Sequence, residues 1–191
     1  GDTLLTALFP PEITPSLSMV TVDDDHNVIL WEKDQTVLEY NIYREGVTAG
    51  EYELLTTIPY GSLSSWTDLT SQPRVRSYRY RLSATDIYGN ELAMSEIHKT
   101  MHLTINQGYG NQWNLVWTEY EGTAYSTYII YRGRTLQNMQ QIDVMPAGGN
   151  TTYTDIDPPT GSNKIYYQIG ILPLTPCNPS KSGDTVLSNI A

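Results

Sequence analysis

Apolar and polar residues alternate with a period of two along most of the chain. The alternation is sharpest in residues 77–86, SYRYRLSATD, where tyrosines, a leucine and an alanine fall on one face and arginines on the other. Successive side chains of a β-strand point to opposite faces, so this segment is predicted to be an antiparallel strand with one buried and one solvated face. No segment shows a convincing helical period, and the pattern predicts an all-β fold.

The strand pattern occurs twice. Residues 27–46, NVILWEKDQTVLEYNIYREG, are echoed by residues 113–133, WNLVWTEYEGTAYSTYIIYRG, so that Trp31 corresponds to Trp117 and Tyr43 to Tyr131. A repeat of about 87 residues is too long for a solenoid and fits two whole domains. Short strands separated by regular turn signals predict a β-sandwich in each. The predicted organisation is a linker or N-terminal extension at 1–12, domain 1 at 13–99 and domain 2 at 100–191.

Composition and charge narrow the class of protein. The 191 residues include 15 Tyr, 4 Trp and one Phe, which favours strands. The net charge of −10 disfavours nucleic acid as a partner, because an acidic surface repels phosphates. Cys177 is the single cysteine, so no intrachain disulfide can form. No apolar run of about 18 residues is present, so no membrane insertion is expected, and the absence of a signal-peptide pattern is typical of a mature or trimmed chain.

Each unit resembles a fibronectin type III domain, an immunoglobulin-like β-sandwich. The motifs are an apolar-x-Trp second strand (ILW at 29–31, LVW at 115–117), a Tyr-x-Ile third strand (YNI at 40–42, YII at 128–130) and YRYRLSA at 78–84. The resemblance implies that Tyr78 is a tyrosine corner, a buried ring whose hydroxyl bonds nearby backbone. The second unit departs from the pattern with Ile165 at this place; either Tyr166 or Tyr167 substitutes, or the corner is missing.

The pair of units is also similar to fibronectin III pairs in exported surface proteins of Bacteroidetes. The runs that carry this likeness are YNIYREG, SYRYRLSA, HKTMHLTIN and the ending LSNIA. The likeness implies a bacterial, extracellular or cell-surface protein. The junction at 95–105 contains no Gly or Pro, so the last strand of one unit runs almost directly into the next, and a semi-rigid rod with a limited hinge is expected.

Aromatic residues provide the candidate ligand contacts. Trp31, Trp113 and Trp117 alternate with apolar neighbours, so they are predicted to be core residues rather than a sugar-stacking platform. Six other aromatic residues lie off the predicted core face or in predicted loops and are predicted to be exposed. These candidate contacts are Tyr43, Tyr60, Trp66, Tyr109, Tyr120 and Tyr125.

Charged residues suggest no metal site. The run from Asp23 to Asp25 lacks the spaced ligands and tight glycine of a calcium loop, which favours a solvated turn. His98 and His102 lack a third ligand for zinc and are interpreted as inter-domain histidines. The basic cluster at 74–81 is expected to pair internally, Arg79 and Arg81 with sheet neighbours such as Glu39 and Glu45.

No nucleophile elbow, phosphate loop, zinc-protease helix or dinucleotide fingerprint is present, so no enzymatic activity and no cofactor are predicted. The expected function is a non-catalytic spacer or protein-interaction module of a bacterial surface or secreted protein. Its partners would be neighbouring domains of a larger chain or other surface proteins. The alternatives are a module that binds carbohydrate or a host ligand through exposed Tyr and Trp, and an accessory part of a larger secreted enzyme.

Overall fold

The computed structural model describes residues 14–161, 164–175 and 185–191, and in these ranges every regular element is a β-strand. The predicted extension at 1–12 and Cys177 lie outside them. Within the described residues the strands form antiparallel sheets, and the strands before residue 100 do not share a sheet with those after it. The all-β prediction is confirmed.

The first unit has two sheets, ordered β1-β2-β5 and β4-β3-β6-β7. Its strands are β1 (Leu17–Asp23), β2 (His26–Trp31), β3 (Val37–Glu45), β4 (Tyr52–Pro59), β5 (Ser65–Asp68), β6 (Arg79–Asp86) and β7 (His98–Lys99).

The second unit repeats this order with sheets β8-β9-β12 and β11-β10-β13-β14. Its strands are β8 (Leu103–Gln107), β9 (Trp113–Trp117), β10 (Tyr125–Gly133), β11 (Met139–Pro146), β12 (Thr152–Asp155), β13 (Tyr166–Pro173) and β14 (Val186–Leu187). A three-stranded sheet facing a four-stranded one, in the same order in both units, is the fibronectin III-like sandwich that the repeat predicted.

Each unit has a tryptophan in its core, as the alternation predicted. Trp31 is buried and lies 5.7 Å from Tyr40 between ring centroids. Trp117 is buried and meets Tyr128 edge-on at 5.2 Å. Trp113 is half-buried and packs against the second core. These rings are therefore packing residues and not an exposed platform.

Tyr78 forms the tyrosine corner that the family resemblance implied. Its ring is buried, and its hydroxyl accepts a hydrogen bond of 2.9 Å from the backbone N–H of Gln72. In the second unit Tyr167 does not replace it, because the Tyr167 hydroxyl donates to Asp155 at 2.7 Å. That contact makes Tyr167 the counterpart of Tyr80, whose hydroxyl donates to Asp68 at 2.8 Å.

Candidate functional site

The six candidate ligand contacts do not come together on one surface. Tyr109 is 91% exposed in the turn between β8 and β9. Tyr43 is half-buried on β3, and its hydroxyl donates to Glu91 at 2.6 Å. Tyr60 is half-buried after β4, with the Lys33 ammonium 5.0 Å from its ring centroid. These three rings are placed by different elements, and a role for any of them in ligand binding stays a prediction.

Trp66 and Tyr125 lie at the margins of the cores rather than off the core face. Trp66 is the cross-strand partner of the buried Ile29 and packs against the first core. Tyr125 packs against the second core, with its hydroxyl 2.9 Å from that of Tyr128. Both side chains are half-buried where they pack against these cores.

The expectation that Tyr120 is exposed is wrong. Tyr120 follows β9 in a connecting segment, but its side chain is only 4% exposed. Its hydroxyl oxygen accepts a hydrogen bond of 2.8 Å from the Val20 backbone N–H on β1, and it lies 2.7 Å from His98 Nδ1. Sequence reasoning placed it in a loop of the second unit, but residues of the first unit cover it.

Tyr120 belongs to an apolar seam that joins the two units. Met19 on β1 and Leu30 on β2 are buried in the same cluster as the core of the second unit, together with Met101 from the connecting segment. Met19 and Leu30 pair across the two strands and lie on the face turned away from the first core. The second unit therefore covers the outer face of the β1-β2-β5 sheet.

Polar contacts border this seam. The Leu187 N–H on β14 donates to the Thr21 hydroxyl at 2.9 Å. His102 Nδ1 lies 2.8 Å from the carbonyl oxygen of Pro73. His98 and His102 thus both contact the other unit or its loops, which confirms their interpretation as inter-domain histidines.

An ion-pair network extends the junction at its surface. Glu121 accepts hydrogen bonds from Arg79 at 3.1 and 3.2 Å and from the Lys99 ammonium at 3.1 Å. Arg79 also pairs with Glu45 at 3.3 Å, as predicted for the basic cluster. Arg81 instead donates to the carbonyl of Ser95 at 2.9 Å. The hydrogen bonds from Arg79, followed by those from Lys99, lower the pKa of Glu121 against the opposing effect of burial.

The triple-aspartate run forms a hairpin turn beside the junction. Asp24 and Asp25 have φ of +43° and +64°, the left-handed conformation that a two-residue hairpin requires at both positions. Asp25 pairs with Arg74 at 2.7 Å, and both side chains are about half exposed. A groove of about 320 Å³ lies between this turn and residues of the second unit such as Gln168. In the described part of the chain, no three His, Cys, Asp or Glu side chains are grouped so that they could hold a metal ion.

A buried Arg–Asp–Tyr cluster occurs in both units. In the first, Asp68 accepts from Arg44 at 2.6 Å and from Tyr80 at 2.8 Å. In the second, Asp155 accepts from Arg132 at 2.6 Å and from Tyr167 at 2.7 Å. The alternation pattern does not reveal this cluster, although its three residue types recur about one repeat length apart in the sequence.

The pKa shifts in this cluster are those of an ionised, hydrogen-bonded carboxylate with a structural role. Burial alone would raise the pKa of Asp68, but hydrogen bonds from Thr70, Tyr80 and Arg44 lower it overall. Burial, followed by the nearby Asp68 charge, raises the pKa of Tyr80 far above its usual range. The ionised carboxylate accepts from donors on β3, on β6 and in the turn after β5, so the cluster ties these segments together.

No protein-family model and no curated protein matches the chain. Similar solved structures include pectate lyase Pel3 from Pectobacterium carotovorum (21% identity, TM-score 0.39), an Fn3-like protein from Clostridium thermocellum (22%, 0.37) and the FN1-FN3 domains of chicken CNTN1 (14%, 0.33). The matches cover 46%, 44% and 93% of this chain and 26%, 84% and 64% of those chains. The chain thus spans about a quarter of the length of the pectate lyase. Likenesses this distant carry no argument about activity, and the fibronectin III-like assignment rests on the strand order of the two units.

Proposed function

We propose that this chain is a non-catalytic structural module that sets the relative position of the protein segments on its two sides. The observation that carries the proposal is the buried junction. Met19 and Leu30 of the first unit are buried in one cluster with the core of the second unit, and Tyr120 of the second unit is buried in the same cluster. Two domains that moved independently on a flexible linker would expose these side chains to water. A contact that keeps them buried holds the two units in one relative position.

The connecting segment itself is held in place. Only three residues separate β7 from β8, and two of them, Thr100 and Met101, are fully buried. The backbones of Lys99 and Glu121 exchange two hydrogen bonds, of 3.0 and 3.2 Å. The Thr100 hydroxyl accepts from the Tyr78 N–H at 2.9 Å. A segment with its backbone paired and its side chains buried transmits orientation between the sandwiches.

The proposed setting is the surface of a bacterium or a secreted protein. The resemblance to exported Bacteroidetes pairs supports it, and the lone cysteine is compatible with it. The proposed partners are neighbouring domains of a larger chain or other surface proteins. The described residues include no helix long and apolar enough to cross a membrane.

The placement of the aromatic residues supports a spacer over a carbohydrate-binding module. A sugar-stacking surface needs several exposed rings on one face, but Tyr109 is fully exposed while Trp66, Tyr120 and Tyr125 are engaged in packing. Binding of a glycan or a host ligand is the alternative, and a glycan array tests it.

Pulsed electron spin resonance tests the fixed geometry. Spin labels at the exposed Val47 and Ile156, one in each unit, would be introduced with Cys177 replaced by Ser. A narrow distance distribution at neutral pH is expected. A flexible Gly-Ser insertion between Lys99 and Thr100 serves as the matched control and should broaden it.

Two results would overturn the proposal. One is a parent distribution as broad as that of the insertion variant, which would mean that the junction fixes nothing. The other is specific binding on a glycan array that is lost on Tyr109→Ala, which would favour a binding module instead.

A further inference from the structure

The hydrogen bonds around His98 require one protonation state. The Val20 N–H donates to the Tyr120 oxygen, so the Tyr120 O–H is free to donate to His98 Nδ1 at 2.7 Å. Burial lowers the pKa of His98, and an interaction of the ring with the Leu17 backbone opposes that effect. A neutral imidazole with its proton on Nε2 leaves Nδ1 free to accept from Tyr120, so the hydrogen bonds from Val20 to Tyr120 and from Tyr120 to His98 form together.

A second proton on His98 would disrupt the hydrogen bonds that link His98, Tyr120 and Val20. Nδ1 would become a donor, so the Tyr120 hydroxyl would have to rotate and accept from it while still accepting from Val20. The hydroxyl proton would then lose its acceptor in a site where Tyr120 is 4% and His98 2% exposed. A buried cation and an unpaired buried donor are both costly, and both costs disappear if the two units separate and admit water.

The side chains and backbone around His98 confine its ring. Gly122 lies directly on the imidazole, since a Cβ there would be 2.4 Å from the ring carbons Cγ and Cδ2 of His98. On the other side the Tyr120 ring meets His98 edge-on at 5.7 Å between centroids. The cross-strand partner of His98 is the buried Tyr80 on β6. Because the His98 side chain is only 2% exposed, we expect water to reach the ring when the 120–122 segment moves.

No neighbouring charge favours the protonated ring. The cations nearby are Arg79 on β6 and Lys99 on β7, and both are paired with Glu121. Glu119 and Glu121 are the carboxylates of the segment after β9, and Glu45 on β3 is engaged by Arg79. On β1, the Leu17 backbone interacts with His98 and the Val20 N–H donates to Tyr120, and Asp23 is the last residue of that strand. Two titratable side chains are direct neighbours of His98: Tyr80 is its cross-strand partner and Tyr120 is its hydrogen-bond partner. Burial raises the pKa of both tyrosines.

We propose that the His98–Tyr120–Val20 bridge is an acid-sensitive latch between the two units, closed while His98 is neutral and released when it takes up a proton. Released, the second unit leaves the outer face of the β1-β2-β5 sheet, and the pair changes from a fixed to a mobile arrangement without unfolding of either sandwich. Burial lowers the pKa of His98 to about 4, so the latch is closed at neutral pH and opens in acid.

This inference goes beyond the positioning role, because a junction that stays closed in acid would still act as a spacer at neutral pH. The test uses the same spin labels at Val47 and Ile156, together with the NMR titration of the His98 ring. The distance distribution is expected to broaden as the pH falls through the His98 midpoint, while far-UV circular dichroism keeps its β signal.

Three variants separate the latch from general acid effects. His98→Gln cannot titrate and should keep the narrow distribution to lower pH. Tyr120→Phe keeps the ring but removes the donor to Nδ1, so it should raise the His98 midpoint and move the broadening with it. His102→Gln is the matched control, since His102 also lies at the junction and bonds Pro73, and it should leave the transition unchanged.

The latch is refuted if the distribution stays narrow through the His98 titration, or if it broadens only together with loss of the β signal. It is also refuted if the His98 midpoint lies at the ordinary value of 6.5. This last reading is made on the parent chain, so it decides the matter even where His98→Gln fails to fold.

Discussion

Replacing Asp68 by Asn tests whether the buried Arg–Asp–Tyr cluster holds the first sandwich together. The Asp68 side chain is 1% exposed, and its carboxylate accepts from Arg44 at 2.6 Å, Tyr80 at 2.8 Å and the Thr70 hydroxyl at 2.7 Å. Asn has nearly the same shape but carries no charge. It also turns an N–H₂ group towards partners that are themselves donors.

The expected loss is about 3–5 kcal/mol of unfolding free energy. Hydrogen bonds to a charged acceptor contribute about 1.5–3 kcal/mol each, and Asp68→Asn weakens those from Arg44 and Tyr80 at once. The Arg44 guanidinium, 19% exposed, is left without its counter-ion, and breaking one side of a buried pair costs about 3–5 kcal/mol. The two arguments agree, and the loss is a large part of the about 5–15 kcal/mol typical of a domain.

Urea unfolding followed by circular dichroism measures this loss. Asp25→Asn is the control, because it removes the same charge from a pair with Arg74 that is about half exposed, where the expected effect is about 0–1 kcal/mol. The pKa of Asp68 is lowered, so its stabilising contribution is present above the ordinary 3.8 and is lost as the pH falls through the folded value. The difference between parent and Asp68→Asn should shrink in acid. A loss equal to that of Asp25→Asn would show that the cluster adds no stability.

Three further predictions concern the core and the junction. Trp31→Ala should cost about 3–5 kcal/mol in urea unfolding, because the ring is fully buried; unchanged stability would contradict the core assignment. Burial lowers the pKa of His98 from 6.5 to about 4, so unfolding free energy should fall by up to about 3 kcal/mol as the pH drops between these values. The unfolded chain takes up the proton first, and His98→Gln should lack this part of the pH dependence. Gly122→Ala, at φ +113° with its Cβ 2.4 Å from the His98 ring, should lower the melting temperature more than Gly148→Ala, at φ +77° in open space; equal shifts would count against the close contact.

The alternation of residues predicted the sandwich because each unit buries its own core. The strand predicted at 77–86 is β6, Arg79–Asp86, and Tyr80, Leu82 and Ala84 on its predicted core face are all fully buried. Before β7 the Ser95 N–H donates to the Leu82 carbonyl at 2.7 Å, while the Ser95 hydroxyl accepts from the Leu82 N–H at 2.9 Å, so a side chain takes one place in the backbone pairing. A period-two pattern records which face is buried but not which backbone groups a serine hydroxyl occupies.

The junction could not be read from the same pattern. Leu30 lies on the face that alternation turns away from its own core, and Tyr120 lies in a connecting segment, yet both are buried. Their burial depends on contacts between residues about 90–100 positions apart in two separate sandwiches, such as the Tyr120–Val20 bond. The alternation of apolar and polar residues within one domain contains no information about a neighbouring domain that covers its outer face.

The apolar seam limits how the two units can be separated by gene rearrangement. Met19 and Leu30 would face water in an isolated first unit, and Tyr120 in an isolated second one, since each is buried by residues of both units. Gene rearrangement that copies one sandwich alone would therefore deliver a protein with a bare apolar face, prone to association. The smallest segment that keeps these side chains covered is therefore the pair of sandwiches and not either one alone.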